Sequence, residues 1–251
     1  GISVKDALKC HPLPVSRAPM VASYVEAHIE QGPVLEANNA AIGVVTGIQG
    51  ARRLDVRLAG QQAHAGTTPR AYRKDALLAA CAAIQTLDQL STSFSEDLRF
   101  TVGRLNVWPN SPNTIAGEVS FTIDFRSPSE AELDGLETAI QQTITGLVLE
   151  SEVSRPLALS PIEFDAAIQS SISRVAARLH LPALPIRSGA GHDAYPLATR
   201  VPAGMIFIPC HGGLSHHPDE NVSEPHLQAG CQVLLEVLLE LSDAAPTQRL
   251  P

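Results

Sequence analysis

Between residues 119 and 147 the hydrophobic period changes once, and abruptly. Val119, Phe121, Ile123 and Phe125 alternate with polar residues, the pattern of a strand with one buried face. Leu133, Leu136, Ile140, Ile144 and Leu147 then recur at helical spacing. At the join, Ser127, Pro128 and Glu130 read as a capping box with proline at the first helical position, so the helix is expected to start at Ser127. Both stripes are buried at once if the helix lies across the sheet that holds the strand.

The neighbouring segments extend this unit. Leu54, Val56 and Leu58 alternate with Arg53, Asp55 and Arg57, which predicts a strand over 52–58. Thr68 and Pro69 suit a cap and first helical position, with Leu77, Cys81, Ile84 and Leu87 as the inward stripe of a following helix. Further strands are expected around 98–107 and 149–159. The order is β-α-β-β-α-β, a recurring split unit with an antiparallel sheet and helices on one face, here assigned to residues 47–159.

The flanks read differently. Short strands are expected at 24–29 and 43–48, and Met205 to Ile208 is a continuous apolar run, as in a strand buried on both faces. Helices are expected over 165–180, facing inward through Ile168, Ile172, Val175 and Leu179, and over 223–241, through Leu227, Leu234, Leu238 and Leu241. The smaller unit therefore interrupts a second one made of residues 1–46 and 160–251, with a frayed tail after Asp243.

Charge narrows the partners. A net charge of −8 argues against nucleic acid and anionic membranes, which attract basic surfaces. No apolar run is long enough to span a bilayer and the start GISVKDALKCH lacks a signal-peptide core, so a cytoplasmic protein is expected. Cys10, Cys81, Cys210 and Cys231 form no CxxC pair and read as free thiols.

Several of the nine histidines sit in glycine-rich or turn contexts: His64 in QAHAGTTP, His192 in SGAGHDA, His211 in PCHGG, His216 and His217 in GLSHHPDE. Neutral imidazole is a common metal ligand, and loops after the strands of an α/β sheet converge at its carboxyl edge. His28 in HIEQG and His216 both fit such positions, although either alone reads equally as a hydrogen-bonded structural residue. In HIEQG, alternation points His28 and Glu30 to one face and Gln31 to the other. His192 and Asp193 read either as metal ligands or as braces of their glycine-rich loop, the latter preferred. Arg126 and Asn113 read either as a grip on a carboxylate or as an exposed arginine and a turn asparagine. No phosphate loop, GxSxG elbow or Cys-His nucleophile stands out.

Seven motifs in order, HIEQGPVLE, IGVVTGIQG, AHAGTTP, TVGRL…PNSPNTI, FTIDFR, SGAGHDA and GLSHHPDE, resemble the N-carbamoyl-L-amino-acid hydrolases and allantoate amidohydrolases. The resemblance implies an α/β catalytic domain with a phosphorylase/hydrolase-like mixed sheet, interrupted by an α+β ferredoxin-like lid that also forms a homodimer. It implies hydrolysis of the carbamoyl or ureido C–N bond of small carboxylic acids with two divalent metal ions, zinc, manganese or cobalt. His28 corresponds to a ligand of one metal and His216 to a ligand of the other, with His217 a competing imidazole. Gln31, His64, Asn113, Arg126, Ser188 and Gly189 match substrate-contacting positions, Arg126 and Asn113 holding the carboxylate. His64 matches a residue that stabilises the oxyanion and reaches a neighbouring subunit's site. Arg53, beside the lid hinge, is a weaker substrate candidate.

The family's His-x-Asp motif, bridging aspartate and Glu-Glu pair have no counterpart in these 251 residues. Neither Asp124 nor Glu30 has a motif that substitutes. The chain alone is therefore expected to be inactive. Two alternatives are a non-catalytic dimerising or ligand-binding module, and an aminoacylase or dipeptidase of the same fold group.

Overall fold

The structure, a computed structural model, describes Ser3, Asp6, Lys9 and residues 21–244. Cys10 and the tail over 245–251 lie outside the described residues. Two sheets organise the chain. The first holds β1 (Tyr24–Ile29), β2 (Ile42–Ile48), β9 (Ile162–Glu163), β10 (Ala183–Ser188) and β11 (Ala203–Ile208), in the order β1-β11-β2-β10 with β9 paired to β2. It is mixed: β1 and β11 are parallel, β2 runs against β11, and β10 follows β2. All six residues of β11 are buried, as its continuous apolar run requires. α4 (Ala166–Arg178) and α6 (Glu224–Ala244) cover one face. α1 (Val34–Ala37) and α5 (Ala194–Ala198) contribute to the core on the other.

The second sheet lies between β2 and β9 in the chain. Its strands are β3 (Gly50–Ala59), β5 (Arg99–Trp108), β7 (Glu118–Ser127) and β8 (Glu150–Leu159), all antiparallel, in the order β5-β7-β3-β8. α2 (Ala76–Ser91) and α3 (Glu130–Thr145) pack on the face carrying Leu54, Val56, Leu58, Val119, Phe121, Ile123 and Phe125. The change of sheet falls at Gln49. A two-stranded ladder, β4 (Ala63–His64) with β6 (Thr114–Ile115), projects from the Ala59 end.

Local expectations are corrected in three helices. Pro69 opens only a 3-10 turn at Arg70–Tyr72, and α2 begins at Ala76, where Asp75 Oδ1 accepts the Leu77 and Leu78 N–H groups. Its inward stripe is Ala76, Ala80, Ala83 and Leu87, while Cys81 is exposed. Small side chains let the helix approach the sheet closely, with Leu77 and Ile84 at the flanks.

α3 is capped by Ser129, whose hydroxyl accepts the Glu132 N–H. Ser127 is still the last residue of β7, paired with Gly50, and its hydroxyl donates to Glu132. Pro128 thus ends a strand instead of opening a helix.

On α6 the buried residues are Ala229, Gly230, Val233 and Val237; Leu234 and Leu241 pack beside them as expected, whereas Leu227 and Leu238 are exposed. A Cβ at Gly230 would lie 2.6 Å from Ile208 Cγ2, so the helix seats on its small-residue side.

Arg52 is 4% exposed and fastens the sheet change. It donates to Leu159 O at 2.9 Å and pairs with Glu130, Asp134 and Glu137 of α3. No described helix is long and apolar enough to cross a membrane.

Candidate functional site

A cleft of about 630 Å³ lies where the two sheets meet. Gln31, Arg126, Gly189 and His216 all line it, with Ser215, Phe207, Arg99 and Arg187. Each arrives by a different route. β1 ends at Ile29 and the chain turns sharply at Gln31, which has φ of 59°. The alternation expected through Glu30 therefore stops early. Glu30 instead caps α1, its two oxygens accepting the Val34 and Leu35 N–H groups at 2.8 and 2.7 Å.

Because β11 is parallel to β1, the loop carrying His216 emerges beside this turn. Gln31 donates to Ser215 Oγ at 3.0 Å. Gly213, with φ of 66°, sits so close that a Cβ there would be 2.7 Å from Pro33 N. Only glycine allows that conformation and approach together. His216 is exposed, and its backbone N–H donates to Glu220. His217 Nδ1 is engaged by the Asp219 N–H and lies 3.6 Å from the Asp219 carboxylate.

Arg126 reaches across from the smaller sheet. Its Nη1 donates to Gly189 O at 2.5 Å and its Nε to Asp124 Oδ1 at 2.9 Å. Arg53 donates to the other Asp124 oxygen at 3.1 Å. Burial pushes the Asp124 carboxyl up, but the hydrogen bonds and charges of Arg126 and Arg53 outweigh it and leave its pKa lowered. Arg53 does not line the cleft; it helps fix the carboxylate that orients Arg126.

His28 does not line this cleft; its ring centroid is 6.5 Å from that of Phe207, which does. His28 Nδ1 is 2.8 Å from Ile29 O, a carbonyl that can only accept, so Nδ1 carries a proton and in the neutral ring Nε2 keeps its lone pair. Glu26, His28 and His192 each offer a ligand atom within 4.8 Å of the others, a cluster that does not include His216. His192 also braces its loop, as preferred from sequence: Nε2 is 2.8 Å from Ser188 Oγ, and the ring stands edge-on to His28 with centroids 4.7 Å apart. Its side chain is 2% exposed. Burial, and then the His28 charge, lowers its pKa to about 4. Asp193 makes no side-chain cap of α5. Glu26, missed in the sequence, stands two residues before His28 on the same strand face. Its Oε2 accepts the Ala194 N–H at 2.8 Å.

His64 and Asn113 are elsewhere. They sit together at the β4–β6 ladder, where the Ala65 N–H donates to Asn113 O at 3.0 Å. His64 Nδ1 accepts the Gly66 and Thr67 N–H groups, which fixes the proton of its neutral ring on Nε2. Arg126 pairs with Ala51, whereas the ladder follows Ala59. At roughly 3.4 Å per residue that separates them by about 27 Å along the sheet. The joint Arg126–Asn113 grip on one carboxylate is therefore not made within one chain.

The sequence matches the peptidase family M20/M25/M40 over residues 6–240. It is 34% identical over 252 residues to an N-carbamoyl-L-amino-acid amidohydrolase of Paenarthrobacter aurescens, covering 96% of this chain and 61% of the relative. It is likewise 34% identical over 251 residues to an allantoate amidohydrolase of Escherichia coli K12, with the same coverage. Among solved structures, a hydantoinase/carbamoylase family amidase from Burkholderia ambifaria superposes with a TM-score of 0.83 at 37% identity, over 99% of this chain and 61% of that one. The chain spans about three fifths of the length of these relatives.

Proposed function

From the premise that this chain belongs to the M20/M25/M40 peptidase family, an amidohydrolase family on its curated relatives, we propose that it acts in metal-dependent hydrolysis of the carbamoyl or ureido C–N bond of small N-carbamoyl or allantoate-like acids. The observation that carries the reading is the convergence of Gln31, Arg126, Gly189 and His216 on one cleft. His28 would hold one divalent cation, zinc, manganese or cobalt, and His216 the other. The free Nε2 of His28 and the nearby Glu26 and His192 donors are of the nitrogen and oxygen types that such cations take. The engagement of His217 by Asp219 favours His216 over its neighbour. When bound, the two cations supply an activated water and polarise the scissile carbonyl.

Arg126, steadied by Asp124, supplies guanidinium N–H groups to the substrate carboxylate. Gln31 and the Ser188–Gly189 turn orient the rest of the acid. His64, with its proton on Nε2, is suited to donate to an oxyanion. Its distance from Arg126 is answered if the His64–Asn113 ladder of a second copy serves this cleft. An apolar groove between α2 and edge strand β5, lined by Cys81, Ile84, Phe100, Val102 and Leu105, suits the smaller unit to a homodimer.

Isothermal calorimetry of the chain with N-carbamoyl-L-methionine tests the reading. Binding is expected in the micromolar to millimolar range and is lost in Arg126→Ala. Absence of binding, or binding indifferent to Arg126, removes it.

A further inference from the structure

We infer that the cleft holds a second anion seat built on Arg99, and that the preferred acid therefore carries a carboxylate in its side chain; this rests on the function proposed above. Arg99 opens β5 directly opposite Arg126 in the antiparallel register, and both residues line the cleft. Their Cα atoms are then about 5 Å apart, a spacing at which like charges facing each other are unfavourable.

Among the described residues Arg99 makes no ion pair, and Arg126 makes only a shared one. Arg126 commits Nε to Asp124 and Nη1 to Gly189 O, and Asp124 is shared with Arg53, one carboxylate against two guanidiniums. Arg99 meets only backbone carbonyls: its Nη1 donates to Glu96 O at 2.5 Å and Leu98 O at 3.3 Å, leaving Nε and Nη2 without a partner in the described residues. Arg187, on the same cleft, is matched by Glu163 at 2.5 Å. Of the lining carboxylates, Glu30 faces the N–H groups of α1, and Asp97 makes no ion pair with a described residue.

A monoacid on Arg126 leaves the Arg99 charge beside it uncompensated. A second carboxylate two or three carbons away on the same ligand reaches across the strands and pairs with it. The chemical class is an N-carbamoyl derivative of an acidic amino acid.

The test uses the full chain and two ligands of nearly equal shape, N-carbamoyl-L-glutamate and N-carbamoyl-L-glutamine, titrated calorimetrically at low ionic strength. The glutamate derivative is expected to bind about tenfold tighter, the size of one charge-assisted hydrogen bond. That ratio should fall to about one in Arg99→Gln and be largely kept in Arg99→Lys. Equal affinities in the wild type overturn the inference. So does a ratio that survives Arg99→Gln, or an Arg99→Gln that weakens both ligands in proportion, since Arg99 would then serve the shared carboxylate. If neither ligand binds, the proposed function itself fails and this inference with it; binding without preference removes the inference alone.

Discussion

Asp124 and His192 are the two residues whose surroundings matter most to the proposed chemistry, and neither binds substrate in it. Asp124 holds Arg126 and Arg53 by one oxygen each. In Asp124→Asn the amide replaces one acceptor with a donor and the charge is lost. Affinity for N-carbamoyl-L-methionine is expected to fall severalfold with the fold intact, as calorimetry and circular dichroism would read together. For His192 the folded pKa of about 4 lies below the ordinary 6.5. Between those values the unfolded chain binds a proton that the folded one refuses, so stability is lost as pH falls from 6.5 to 4 and is level above. At about 1.4 kcal/mol per unit the ceiling is a few kcal/mol. Urea midpoints of the metal-free chain at pH 7.5, 6 and 5 should decline accordingly, and His192→Asn should flatten that slope. Asp124 is depressed, so it contributes in the opposite sense of charge: its stabilisation is lost only as pH falls through a folded pKa below 3.8. The two effects occupy different windows. His192 was legible as a loop brace because glycine-rich loops need one; its contact with His28 was not, since β1 and the loop after β10 meet only in the fold.

At the scale of elements, helix and strand identities followed from periodicity and Asp165 caps the helix expected to begin there, while two other helix starts were misplaced. Thr68-Pro69 and Ser127-Pro128 each carry a good helix-start signature, yet Asp75 and Ser129 are the caps. In both cases the proline is used to end or turn the preceding segment, and a better-placed acceptor lies downstream. Asp75→Ala should cost about 1 kcal/mol in thermal or urea unfolding and Thr68→Ala close to nothing. The reverse ranking would restore the earlier start. The inward faces of α3 and α4 were legible in the periodicity, whereas those of α2 and α6 were legible only in part. Hydrophobic periodicity counts large side chains, but α2 and α6 seat on alanine, glycine and valine because the sheet beneath is close.

For the whole molecule, the sheet order assigns residues to two separate places. The cleft between the sheets collects Gln31, Arg126, Gly189 and His216, and the far end of the smaller sheet collects His64 and Asn113. A homodimer through β5 and α2 is the arrangement proposed to reunite them. Leu105, 45% exposed in that groove, gives a direct test: Leu105→Lys should convert a dimer to a monomer in sedimentation velocity while leaving the circular dichroism unchanged. A wild-type chain that sediments as a monomer at high micromolar concentration would exclude this route. By itself the sequence determined the β-α-β-β-α-β unit, its insertion into a second sheet and the motifs around His28, Arg126 and His216, because period and motif are local in the chain. Only the tertiary structure decided that Asp124 and Gly189 grip Arg126, that Arg99 faces it, and that the ladder beside Asn113 projects from the opposite end of the smaller sheet. Those facts depend on strand register, and register is set by which residues meet across the sheet.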